Sequence, residues 1–268
     1  PLFLGFGCNV PAVMGARIIE SRAGRLLTIF LAPLVPCAAR LAVLTVLAQA
    51  LFPSQATLVT LGLTVLPLLV LALLGAVAHR LLAKGDEGAF IMEMPLYHQP
   101  NLRTLGLFVW QRLGSFVRKA ATVILAVSIL VWALSTWPHG DIETSFIAAI
   151  GHFLEPVGAW MGLSWRQMVA LLTSFVAKEN AVATLGVLYG ASEESGAFSG
   201  LMQSAFTPAA GLAFLVFQML FIPCVATVAA IRQETNSWRW TLLNIAVLAI
   251  ISWAAGTLTY QVVRLWLP

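Results

Sequence analysis

Long apolar runs separated by short polar islands dominate this chain. A run of about 20 apolar residues can cross a bilayer as a helix. Residues 26–51 form such a run, broken by Pro33 and Pro36, and residues 57–83 form another, nearly uncharged until His79 and Arg80. Further spans are predicted over 117–137, 208–231 and 240–263. The apolar stretch 166–190 carries Lys178 and Glu179 in mid-run and reads as broken or re-entrant. Residues 83–106 read as a polar loop with an interfacial segment, and 107–119 ("LFVWQRLGSFVRK") as an amphipathic lead-in to the third span. Residues 138–165 read as a mixed loop with room for a short surface helix, 191–207 as a Ser/Gly/Glu loop, and "RQETNSWR" as the link between the last two spans. No strand alternation competes, so the expected fold class is all-α: a polytopic membrane helix bundle with broken helices.

Composition strengthens this reading. Of 268 residues, 60% are hydrophobic and 10% charged, and mean hydropathy is +0.90. Soluble domains carry about 25% charged residues, so lipid is the expected solvent. The excess of 15 Lys+Arg over 11 Asp+Glu is topogenic and suits contact with anionic lipid. No basic stretch is interleaved with aromatics, so no nucleic-acid partner is expected. Arg80, Lys84, Arg103, Arg112, Arg118 and Lys119 place the 80–119 region in the cytoplasm, and Asp141, Glu143 and Glu155 place 138–165 outside.

Two motif pairs echo each other. "NVPAVMG" (9–15) resembles "NAVATLG" (180–186), and "PLVPCAARLAVL" (33–44) resembles "LFIPCVATVAAI" (220–231). Each pair places an Asn-bearing polar break before an apolar segment containing Pro-Cys. Polar breaks at corresponding positions of two repeats point to a transporter's midplane site. The expected organisation is two related halves, 1–137 and 138–268.

The candidate chemistry lies at these breaks. Gly5, Gly7 and Pro11 disfavour a continuous helix around Cys8. Irregular backbone inside a bilayer is tolerated only against protein or a water-filled cavity. Cys8 would therefore sit among carbonyl oxygens, with Asn9 adding an amide oxygen. A thiolate with oxygen donors suits a borderline divalent metal such as Fe(II) without specifying it. Cys37 and Cys224 each follow a proline, which frees backbone carbonyls near Pro33 and Leu220. Any one of these cysteines also reads as a small packing residue, but all three fall at breaks.

Arg40 shares a helical face with Cys37, where it could favour the thiolate or pair with a carboxylate such as Glu179. Adjacent Lys178 and Glu179 need separate partners. Glu179 is the favoured carboxylate ligand or gate, facing the ion cavity, with Lys178 turned toward carbonyls or an interfacial carboxylate. A structural ion pair is the other reading. His79, His98, His139 and His152 show no zinc spacing, and no nucleotide-binding or acyl-enzyme motif is present.

"GFGCNVPAVMGARIIE", "LAPLVPCAARLAVL", "FVWQRLGSFVRKAATVIL", "AKENAVATLGVLYG" and "IPCVATVAAIRQETNSWRW" resemble, in that order, the membrane domain of the bacterial ferrous iron transporter B family. The resemblance runs from Gly5 through the last span. It implies two Gate repeats, residence in the bacterial inner membrane, and Fe(II) as the transported ion with no tightly bound cofactor. The family's motif cysteines, proposed to contact the ion, fall on Cys8, Cys37 and Cys224. In the family a GTP-binding GTPase domain and further membrane helices lie upstream. The chain opens in mid-motif and is expected to be the C-terminal part of a longer protein, without GTPase activity of its own and with homo-oligomers possible.

Two other functions compete. Gate repeats also resemble nucleoside-recognition membrane proteins, so a permease for a small organic solute is one, with Asn9, Asn180, Gln49 and Gln218 as its candidate amides. A membrane thiol oxidoreductase is the other, although the sequence has no C-x-x-C. Convergence of the three sulfurs with Glu179 on a common cavity would separate the metal reading from both.

Overall fold

The computed structural model describes residues 1–82, 101–137, 145–190, 196–221 and 223–266. Every regular element among them is helical. The polar stretch 83–100 and the acidic stretch 138–144, with His98 and His139, lie outside the described residues.

The first half opens with a 3-10 turn, Leu2–Phe6, followed by α1, Asn9–Gly15. These two pack on each other across the Gly7-Cys8 break. Helix α2 (Arg22–Leu31) starts at Ser21, whose hydroxyl accepts from Gly24 N at 3.0 Å. A 3-10 turn at Ala32–Leu34 and an extended stretch at Val35–Cys37 separate it from α3, Ala38–Leu51. Prolines 33 and 36 account for the break, since neither can donate to the preceding turn. Helix α4, Ala56–Leu82, presents Leu58, Leu61, Leu69 and Leu73 outward, a face suited to lipid. Helix α5 is continuous over Leu102–Thr136, about 50 Å long at 1.5 Å per residue. Its start at Asn101, whose amide oxygen accepts from Arg103 N and Thr104 N, lies inside the stretch expected to be loop.

In the second half, α6 (Phe146–Ala159) occupies the expected mixed loop. Helices α7 (Trp165–Ser174) and α8 (Asn180–Tyr189) pack against each other across the non-helical residues 175–179. Each is about 15 Å long, about half the thickness of a bilayer core, and the pair forms a helical hairpin. Residues 196–205 were expected as loop but form α9, Gly196–Ala205. Phe198, Met202 and Phe206 recur every four residues and bury together in the core, which offsets the weak helix propensity of the surrounding Gly and Ser. Helix α10 (Pro208–Leu220), capped by Thr207, is buried over most of its length. A break at Phe221–Cys224 leads to α11, Val225–Thr235, and Trp238–Trp266 forms α12.

Among the described residues, Arg22–Leu51, Ala56–Ala78, Pro208–Thr235 and Trp238–Trp266 are long and apolar enough to cross a membrane. Helix α10 packs closely along α12 and also touches α3 and α4. Gly256 makes room for Met161 against α12, because a Cβ there would stand 2.7 Å from Met161 Sδ. The halves also interlock: α1 lies on α11, and α3 touches α8 and α9. This arrangement brings the helix breaks together.

Candidate functional site

All three cysteines occupy the residue immediately before a helix, each with extended backbone: Cys8 before α1, Cys37 before α3 and Cys224 before α11. All are free thiols of intermediate exposure. The three breaks adjoin: Ala38, after Cys37, bonds to Gly7, before Cys8, and Arg40, three residues after Cys37, bonds to Phe221 O, three residues before Cys224.

The same hydrogen bond braces both halves. The amide following Cys37, Ala38 N, donates to Gly7 O at 3.3 Å, and the amide following Cys224, Val225 N, donates to Phe175 O at 3.0 Å. In each half, the Pro-Cys helix is thereby tied to a carbonyl at a neighbouring helix break. Gly5 allows the first of these approaches, since a Cβ there would lie 2.9 Å from Val35 Cβ. The Asn9 amide is best oriented with its nitrogen donating to Gly5 O at 3.1 Å and Val35 O at 3.3 Å. Those two carbonyls can only accept, and the reverse orientation leaves a single 3.4 Å bond to Pro33 O.

Arg40 is 1% exposed. Its Nη1 donates to Pro33 O at 2.8 Å and its Nη2 to Phe221 O at 2.6 Å. The guanidinium thus pairs with carbonyls on both sides of the cluster, and Glu179 is not its acceptor. Lys178, not Glu179, takes the inward position of that adjacent pair. Lys178 is buried, whereas Glu179 is exposed. Lys178 Nζ lies 5.2 Å from the centroid of the Phe221 ring.

Among the described residues, no three His, Cys, Asp or Glu side chains are grouped closely enough to hold one metal ion. The structure therefore joins the breaks that carry Cys8, Cys37 and Cys224, with Arg40 between two of them and Lys178 at the Phe221 ring, without closing a coordination shell, and leaves Glu179 exposed.

Two polar contacts were missed in the sequence. Thr227 Oγ1 lies 3.3 Å from Cys224 Sγ, and Ser174 Oγ donates to Gln218 Oε1 at 3.0 Å. The first had a signal. Thr227 follows Pro-Cys-Val-Ala as Arg40 follows Pro-Cys-Ala-Ala, so each half carries a polar residue three positions after its cysteine.

Comparison with known proteins accords with this geometry. Residues 60–112 match the family profile described as "Ferrous iron transport protein B C terminus", and residues 117–238 match "Gate: Nucleoside recognition". The chain is 38% identical over 271 residues to the Fe(2+) transporter FeoB of Staphylococcus aureus (strain COL), covering 99% of this chain and 40% of that protein. It is 36% identical over 267 residues to the Fe(2+) transporter FeoB of Methanocaldococcus jannaschii, covering 95% and 40%. It is 33% identical over 313 residues to an Fe(2+) transport protein A/Fe(2+) transporter FeoB fusion protein of Porphyromonas gingivalis, covering 98% and 37%. The chain thus spans about two fifths of the length of these relatives. No solved structure matches it. The matched profiles, the near-complete alignment of this chain with its relatives and the helical architecture together show that it belongs to the FeoB family, as a C-terminal membrane domain.

Proposed function

We propose that this chain forms the ion-conducting region of a ferrous iron uptake transporter in the bacterial inner membrane, working with a GTPase domain upstream in the same polypeptide. Fe(II) is the substrate, and Cys8, Cys37 and Cys224 are its successive contacts. The observation that carries the reading is the placement of three free thiols at helix breaks that are joined to one another through Ala38 N to Gly7 O and Arg40 to Phe221 O, supported by the likeness to Fe(2+) transporters. Cys37 and Cys224 fall near the middle of spans Arg22–Leu51 and Pro208–Thr235, where the barrier to a cation is highest. An open cluster suits transit, because an ion must bind well enough to enter and weakly enough to leave. Asn9 holds the first break in shape. Glu179, at the start of the α8 arm, serves as a carboxylate near the mouth of the path.

The two halves, 1–137 and 138–268, act as paired gates, a reading supported by the matching amide-to-carbonyl braces after Cys37 and Cys224. The decisive measurement is Fe(II) uptake by cells whose only ferrous transporter is the parent protein. Uptake should fall strongly when Cys8 and Cys224 are both replaced by serine at unchanged membrane abundance. Full uptake by that variant would overturn the reading.

A further inference from the structure

At one end of the bundle the two halves meet around a shallow groove. Leu26 and Phe30 of α2 line one side, Ile231 and Thr235 of α11 another, and Trp240 and Asn244 of α12 the third. At its inner end Asn244 Nδ2 donates to Phe30 O at 2.9 Å, joining α12 to α2. Ile231 and Asn244 are buried there, whereas Trp240, one turn nearer the end of the bundle, is exposed.

The groove opens at a membrane boundary. The candidate spans Arg22–Leu51 and Trp238–Trp266 begin at this level, and Pro208–Thr235 finishes at it. Trp238 and Trp240 stand exposed beside the mouth, at the headgroup position that suits tryptophan. Only residues 52–55 separate Arg22–Leu51 from the α4 span, so the two run in opposite directions. Helix α4 ends where the basic 80–119 region begins, and that region is the one expected in the cytoplasm. The mouth therefore faces the cytoplasmic leaflet.

Charge at the mouth is one-sided. Residues 17–25 and 232–239 hold five arginines against two glutamates. Arg17 and Glu234 pair with each other, which leaves four arginines against Glu20. Arg232 Nη1 donates to Asn236 Oδ1 at 3.2 Å, and its guanidinium lies 5.3 Å from the Trp238 ring centroid. Arg22, Arg25 and Arg239 form no hydrogen bond or ion pair with any described residue. Arg22 is one helical turn before Leu26, Arg25 is its neighbour, and Arg239 adjoins Trp240. An apolar groove beneath a rim of free guanidinium groups fits a ligand with an acyl chain and a phosphate. Guanidinium binds phosphate through paired donors, and basic pockets between helices on the cytoplasmic side suit anionic headgroups. A zwitterionic lipid would bring an ammonium to the same arginines.

We propose that this groove is a binding site for an anionic phospholipid of the cytoplasmic leaflet, with its phosphate among Arg22, Arg25 and Arg239 and one acyl chain against Leu26, Phe30 and Ile231. Helix α2 belongs to the first half and α11 and α12 to the second, so the bound lipid bridges the halves beside the Arg17–Glu234 pair. The site is independent of which ion crosses the membrane.

The intact protein is placed in nanodiscs of phosphatidylcholine carrying increasing phosphatidylglycerol. Native mass spectrometry then counts the lipids it retains, and thermal unfolding is followed alongside. The wild type should retain phosphatidylglycerol in preference to phosphatidylcholine and unfold at a higher temperature as phosphatidylglycerol rises. Each arginine near the surface strengthens contact with anionic lipid by about fivefold. The combined Arg22→Gln, Arg25→Gln and Arg239→Gln variant should therefore lose at least about tenfold in that preference, together with the added stability. Arg264→Gln, at the other end of α12, should behave as the wild type. Leu26→Trp, which fills the groove and keeps every charge, should also lose retention. Unchanged preference in the triple variant overturns the proposal. Unchanged retention by Leu26→Trp overturns the groove and leaves only diffuse attraction to the rim. If Leu26→Trp does not fold, glycerol phosphate decides the point: displacement of retained phosphatidylglycerol by this chainless headgroup overturns the lipid site, and failure to displace it supports the site.

Discussion

Arg40 and Phe221 stand 181 positions apart in the chain and are joined by a 2.6 Å hydrogen bond from guanidinium Nη2 to the backbone carbonyl. With the 2.8 Å bond from Nη1 to Pro33 O, this side chain spans the two Pro-Cys breaks. A planar fork of donors suits two carbonyls on different helices, where a single ammonium would not. Buried carbonyls freed by proline need partners, and Arg40 supplies them from within the protein.

Arg40→Met should therefore destabilise the bundle. It removes both donors and leaves the buried Pro33 carbonyl without its strongest partner, a cost of about 1–3 kcal/mol. Arg40→Lys should be intermediate, keeping the charge but reaching one carbonyl. Thermal unfolding in detergent checks the order wild type, Lys, Met. A wild-type unfolding temperature for Arg40→Met would show that the guanidinium is not the brace.

Replacing Cys8 or Cys224 by serine should lower Fe(II) uptake while leaving folding nearly intact. Serine approximates the shape of cysteine, and each thiol is only partly buried. The change removes a soft ligand whose deprotonated form binds metal. Uptake normalised to membrane abundance is the readout. Wild-type rates for both variants would assign the thiols to packing.

Gly5→Ala should impair the first break specifically. The added methyl would stand 2.9 Å from Val35 Cβ and 3.3 Å from the Asn9 side-chain amide. Val35 is β-branched and its Cβ is fixed to the extended backbone, so relief must come from separating the two segments. The Ala38 N to Gly7 O brace should loosen, and uptake should fall by more than stability alone explains. Hydrogen exchange at Ala38 is the check, and unchanged protection there would count against the prediction.

Arg17 and Glu234 form the described ion pair between the halves, with Nη2 to Oε1 at 2.6 Å and Nε to Oε2 at 2.7 Å. Glu234 is largely buried and Arg17 is exposed. Glu234→Arg should weaken the α1–α11 contact and lower the unfolding temperature, and adding Arg17→Glu should recover much of the loss. Failure of the charge-swapped pair to recover anything would mean that the contact rests on the apolar packing of Val10, Val13, Ala230 and Ile231.

Glu179→Gln should leave thermal stability near wild type, because the carboxylate is exposed and surface changes away from special features stay within about 0.5 kcal/mol. Uptake should nonetheless fall, through loss of a negative charge near the path. A large drop in unfolding temperature would instead make Glu179 a structural partner.

Run length and composition were enough to establish the membrane bundle, because lipid demands about 20 apolar residues with internally paired backbone and few sequences meet that by accident. The breaks at Cys8, Cys37 and Cys224 were equally legible, since Gly and Pro interrupt a helix for local reasons that need no partner. Helix α9 was not legible, because its Gly and Ser suggest a loop until Phe198, Met202 and Phe206 find a core to fill. One acceptor of Arg40 belongs to a break 181 residues away, which no local pattern encodes. The inward placement of Lys178 rather than Glu179 was likewise decided by packing. Sequence spacing sets the angle between neighbouring side chains, but only contacts with α3, α10 and α11 set the rotation of the turn that carries them.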